Sequence, residues 1–95
     1  MAARPVKVSI TYCSECRYQP QTIELASALL QEFTYGLSSV ELIPWQDGMF
    51  EVTVAGELVH SMAREGGFPE PATIIQAVRE RLDESSPPDQ ELGMD

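Results

Sequence analysis

The only two cysteines of the chain, Cys13 and Cys16, stand two residues apart in YCSECRYQP. Thiols at this spacing can cross-link a fold, supply half of a metal site, or open and close as a reversible dithiol. A structural bridge between positions 13 and 16 closes a very short loop, which gives the least stabilisation in the chain-entropy model, and a reducing compartment would keep it open. A closed tetrahedral metal site takes four ligands. The chain adds only one histidine, His60, which reads as a strand or surface residue, so a single chain leaves the site incomplete; two chains could pool four cysteines. In the dithiol reading, two intervening residues let the sulfurs meet in a small ring when oxidised. When reduced, one thiolate is steadied by the other thiol and by nearby backbone N–H groups. Arg17, beside Cys16, favours a thiolate, and Glu15 opposes it.

Alternation in Val6, Val8 and Ile10 against Lys7, Ser9 and Thr11 predicts a strand with one buried face that delivers the cysteines at its carboxyl end. Ligands and chemistry in parallel α/β sheets lie at that end. From Ile23 the period becomes helical, with Ile23, Ala26, Leu29, Leu30 and Phe33 on the expected core face and Glu24, Ser27, Gln31 and Glu32 opposite. Pro20 suits the helix start and Gly36 the stop. With Pro20 opening the helix, Cys16 lies outside the first turn and gains little from the helix dipole.

Three strands are expected next. Val40 and Leu42 define the first, ending near Pro44; Phe50, Val52 and Val54 the second; Leu58 to Ser61 the third. Asp47-Gly48 and Gly56-Glu57 are the expected turns, the latter closing a hairpin. A second helix starts near Pro71, buries Ile74, Ile75 and Val78, and finishes on Arg79, Arg81 and Leu82, whose cations suit a helix carboxyl end. The predicted order is β-α-β-β-β-α. Polar residues at alternate strand positions leave one sheet face wet, which sends both helices to the other face of a mixed sheet. The fold class is therefore α/β, a two-layer sandwich.

Ninety-five residues make one compact domain, assigned to residues 1–82, and no apolar run approaches the roughly 18 residues that cross a bilayer. The opening MAARPVKVSI does not resemble a signal peptide, so the expected compartment is the cytoplasm, without membrane attachment. Six Lys and Arg against fifteen Asp and Glu leave a net charge of −9, which repels nucleic acid. Part of that charge belongs to residues 83–95, DESSPPDQELGMD, an acidic tail expected to be disordered.

The start YCSECRYQPQTIEL, together with FEVTVAGELVHS and the GGFP that follows, resembles the selenoprotein W-like (Rdx) family of the thioredoxin-like fold, over about Val6 to Leu82. The resemblance implies a small thiol-disulfide redox protein acting on protein thiols, with glutathione as a co-substrate and no resident cofactor. Several relatives carry selenocysteine where this chain has Cys16, which makes Cys16 the attacking group and Cys13 the resolving one, opposite to thioredoxin. Sulfur in place of selenium weakens that nucleophile. Two features depart from thioredoxin: the WCGPC sequence is absent, and no proline directly precedes the FEVTV strand. Pro69 and Pro71 read as loop and helix-start residues, so a partner must dock elsewhere. Trp45, Met49, Met62 and Phe68 are candidate anchors, although in so small a domain such side chains are expected to close the ends of the core, as are Tyr12 and Tyr18. Catalysis on thiols and a binding module set by the redox state of the pair both remain open.

Overall fold

The computed structural model describes residues 6–34 and 36–85. Strand β1 (Val6–Cys13) leads to helix α1 (Gln19–Glu32), then to β2 (Leu37–Trp45), β3 (Phe50–Val54) and β4 (Glu57–Ser61). A single helical turn, α2 (Met62–Glu65), and the longer helix α3 (Pro71–Ser85) complete the described chain. The sheet order is β2-β1-β3-β4, with β1 parallel to β2 and antiparallel to β3, and β3 antiparallel to β4. This is the expected mixed α/β sheet with one addition, the turn α2, which has too few apolar residues for its period to show in the sequence.

Register decides which side chains meet. Val8 pairs with Val54, Ile10 with Val52 and Tyr12 with Phe50, so every second residue of β1 and β3 falls on one face. There Val6, Val8, Ile10, Phe50, Val52 and Val54 join Leu25, Ala26, Leu29 and Phe33 of the first crossover and Ile74 and Val78 of α3 in a single core. Both helices thus cover the same face. On the other face Lys7 reaches Glu41 across β1 and β2 at 3.1 Å, and Ser9 donates a hydrogen bond to the same carboxylate. Lys7 first and Ser9 second hold the Glu41 carboxyl below its usual pKa range.

Several local expectations need correction. The buried face of α1 is Thr22, Leu25, Ala26, Leu29 and the capping Phe33, whereas Ile23 and Leu30 are 45% and 57% exposed. The helix carries apolar residues around much of its circumference, so more than one phase fitted. Thr22 tips the balance because its hydroxyl bonds to the Tyr18 carbonyl at 2.9 Å and can be buried without penalty. The helix also starts one residue early, with Pro20 in its second position, and ends at Glu32; Gly36 lies instead just before β2.

Strand β2 continues through Pro44 because it is an edge strand, where a missing ladder N–H is tolerated. The hairpin turn is Ala55-Gly56, one residue earlier than expected, with φ of 52° and 84° as a type I′ turn requires. Asp47-Gly48 does form a turn, at φ of 64° and 68°.

Helix α3 runs on to Ser85, so Arg79 and Arg81 lie within it rather than at its end. Arg79 pairs with Glu32 and stacks 5.3 Å over the Phe33 ring, joining the helices, while Arg81 pairs with Glu57 of β4. Ile74 and Val78 are fully buried and Ile75 is half-buried. Residues 86–95 of the acidic tail lie outside the described residues. No helix among the described residues is long and apolar enough to cross a membrane.

The corrected face of α1 is testable by paired truncations. Leu29→Ala should lower unfolding free energy in urea by about 2 to 5 kcal/mol, and Leu30→Ala by no more than about 0.5 kcal/mol. Equal losses would contradict the assignment of Leu29 to the core and Leu30 to solvent.

Candidate functional site at the carboxyl end of the central strand

The strand directions gather the functional segments at one end of the sheet. β1 and β2 are parallel and finish there, β3 begins there, and β4 finishes there, followed by α2 and the GGFP loop. Cys13 is the last residue of β1, and Ser14 to Arg17 form the turn that leads into α1. Cys13 and Cys16 are joined by a disulfide, with Cα atoms 5.4 Å apart.

Their environments differ sharply. Cys13 is 1% exposed, whereas Cys16 lies among exposed turn residues. The turn is held by the β2–β3 connection: the Cys13 N–H donates to the Met49 carbonyl at 2.7 Å, and the Ser14 N–H to the Trp45 carbonyl at 2.9 Å. The Ser14 hydroxyl donates to the same Trp45 oxygen at 3.1 Å. Cys13 and Trp45 are also register partners in the parallel pair, and the Trp45 side chain is 52% exposed. Cys16 precedes the helix N-cap, Tyr18, by two residues, so it stands outside the first helical turn as the sequence implied.

Arg17 has φ 62°, a left-handed conformation in which a side chain costs on the order of 1 kcal/mol. Its position lets the chain turn from the disulfide into the helix. The side chain is exposed and lines an open groove of about 690 Å³ with Ser14, Gln19, Pro20, Ile23 and Glu24.

A second support comes from the far segments. The Tyr18 ring packs edge-on against Phe68 at 4.9 Å between centroids, and Phe68 against Phe50 at 5.0 Å. Phe50 in turn stands 6.4 Å from the His60 ring. His60, 7% exposed, donates its Nε2–H to the Gly67 carbonyl at 2.8 Å. Gly66, at φ 89°, caps α2 in the left-handed conformation and lets the chain reverse before Phe68. The GGFP loop therefore bears on the N-cap of α1, two residues after Cys16. Among the described residues no group of three or more His, Cys, Asp and Glu is placed to hold a metal ion.

Of the four candidate anchors, Trp45 and Phe68 are exposed, the latter at 39%, while Met49 and Met62 are half-buried. Phe68 serves both ends of the question, since one part of it faces solvent and another closes the aromatic cluster. Tyr12 and Tyr18 pack against the core as expected. Sequence reasoning missed the two backbone carbonyls, the His60–Gly67 bond and the Arg17 conformation. The GGFP motif was the visible trace of the aromatic support, but its contact with Tyr18 joins residues 50 positions apart. Every described peptide bond is trans, so a cis-proline of the thioredoxin kind is absent among them.

A mixed four-stranded sheet with its helices on one face and a CxxC disulfide at the end of the central strand defines a thioredoxin-like protein. Residues 7–80 match the model of the Rdx family, and the chain belongs to that family. It is 32% identical over 91 residues to migration and invasion enhancer 1 of Bos taurus, covering 87% of this chain and 77% of that one. To selenoprotein W of Mus musculus it is 42% identical over 62 residues, 64% of this chain and 70% of the relative. The crystal structure of a selenoprotein W-related protein from Vibrio cholerae superposes with a TM-score of 0.81 at 30% identity, covering 83% of this chain and 99% of the other. A Bordetella parapertussis protein superposes with a TM-score of 0.79 at 32% identity, covering 83% and 100%.

Loss of the Phe68 ring should loosen the turn it supports. Two ring contacts at roughly 0.5 to 1.5 kcal/mol each put the expected loss for Phe68→Ala at about 1 to 3 kcal/mol. Amide exchange should accelerate more at Tyr18 to Thr22 than in the middle of β1; uniform acceleration would show that the ring supports the whole core instead.

Proposed function

We propose that the chain is a thiol-disulfide redox protein in which Cys16 attacks and Cys13 resolves. The observation that carries this reading is the asymmetry of the pair: a partner's sulfur can approach exposed Cys16, while Cys13 at 1% exposure is reached most readily by Cys16 itself. Family membership and the order suggested by selenocysteine-bearing relatives agree with it.

In the forward direction the Cys16 thiolate attacks one sulfur of a client disulfide. An S–S bond forms between Cys16 and the client, and the client's other sulfur leaves as a thiolate. The Cys13 thiolate then attacks the Cys16 sulfur, forming the Cys13–Cys16 bond and releasing the second client thiolate. Two electrons pass to the client, whose thiolates take up the protons that the two cysteines have lost. Two thiols, such as a pair of reduced glutathione molecules in the cytoplasm, reverse the sequence and become a disulfide themselves. Arg17 favours the attacking thiolate by its charge. The dipole of α1 adds little, because Cys16 stands before the N-cap.

In the Cys13→Ser protein, a disulfide client or oxidised glutathione should become trapped on Cys16 as a stable adduct detectable by intact mass. The Cys16→Ser protein should trap at least ten times more slowly, since Cys13 is shielded. Faster trapping on Cys13 would reverse the order of attack. In the wild type, a disulfide that forms but is not reopened by reduced glutathione or a dithiol would deny turnover. It would leave a redox-set binding module, whose state the exposed Trp45 beside Cys13 would display.

A further inference from the structure

We propose that Arg17 selects the client: it receives a single carboxylate lying next to the reactive cysteine of a peptide segment in a partner protein. The inference rests on the thiol-disulfide reading above and assigns to it a specificity residue. Of the Lys and Arg among the described residues, Lys7, Arg64, Arg79 and Arg81 are each ion-paired. Arg17 alone has no carboxylate within ion-pair distance, although Glu15 is two positions away and Glu24 lines the same groove. In a chain of net charge −9, acidic side chains are plentiful, yet among the described residues this one guanidinium, next in sequence to the exposed Cys16, has no carboxylate partner. It does so from a left-handed backbone position where glycine would be unstrained, so turn geometry gives no reason for an arginine.

The groove supplies the remaining complementarity. Arg17 and Ser14, the residues on either side of the Glu15-Cys16 pair in the chain, line it, Pro20 and Ile23 offer apolar surface, and Ile23 is 45% exposed with no core role. Glu24 on its lining disfavours a second acid. The preferred segment thus carries one acid adjacent to its cysteine and an apolar or basic residue beyond it. The overall negative charge does not forbid such a client, because at physiological salt charges more than about 8 Å away are largely screened and the adjacent guanidinium dominates.

The experiment measures attack by the reduced protein on two pyridyl-disulfide peptides that differ only in Glu or Lys after the cysteine, following release of the thiopyridone. The wild type should prefer the Glu peptide by about fivefold at low ionic strength, with the ratio falling toward one near 1 M salt. Taking the ratio removes the effect of Arg17 on Cys16 thiolate content, which is common to both peptides. Arg17→Gly, which relieves the backbone and should fold at least as stably, should bring the ratio to about one or below. Arg17→Glu should invert it. A wild-type ratio of one, or a preference that survives in Arg17→Gly, overturns the assignment while leaving the thiol chemistry standing. Failure of the wild type to attack either peptide removes both readings together.

Discussion

Cys13 ends the central strand, yet its amide is still paired: the hydrogen bond to the Met49 carbonyl extends the β1 ladder one step into the β2–β3 connection. With the adjacent Ser14–Trp45 bonds, this clamps the first half of the CxxC turn to the sheet while leaving the second half in solvent. The burial of one sulfur and the exposure of the other follow from that clamp. A turn released from Met49 and Trp45 would lose the distinction between the two cysteines, and with it the basis of the proposed division between attack and resolution. The Asp47-Gly48 turn matters for the same reason, since it presents both carbonyls from one short segment.

The opposite side of the turn is held by aromatic packing rather than by backbone bonds. Tyr18, Phe68 and Phe50 meet edge-on, and His60 fixes the Gly67 carbonyl just before Phe68. Such ring contacts are weaker individually than a well-packed aliphatic core, but they connect three segments distant in sequence. The start of α1 is therefore positioned by the second half of the chain. This accounts for a family motif, GGFP, far from the cysteines in sequence: its glycines turn the chain and its phenylalanine reaches the residue after Arg17.

Electrostatics at the site is local. The net charge of −9 opposes binding to phosphate-rich surfaces, but it says little about the few ångströms around Cys16, which Arg17 follows directly in the chain. Activation of the thiol through the dipole of α1 is limited because the helix begins three residues after Cys16. The remaining influences are the Arg17 charge, the opposing Glu15 charge and solvent access.

The strand alternation of Val6 to Ile10 and Phe50 to Val54, the order of the elements, the mixed sheet and the location of the dithiol were all legible in the sequence. Period two and period 3.6 are local signals that tertiary packing here reinforces. The phase of α1 was less legible because Leu25, Ile23 and Leu30 made the apolar stripe too broad, and only the contact with the sheet selected Leu25 over the other two. The continuation of β2 through Pro44 depended on its being an edge strand, and α3 runs on past Arg81, so that Arg79 and Arg81 pair with Glu32 and Glu57 of other elements from inside the helix. Sequence alone thus determined that two thiols would stand close together after a strand, because three-residue separation and strand-turn-helix geometry are local. Which thiol is buried, what holds the turn and which cation remains unpaired were decided by contacts between residues some thirty to fifty positions apart, which no local pattern encodes.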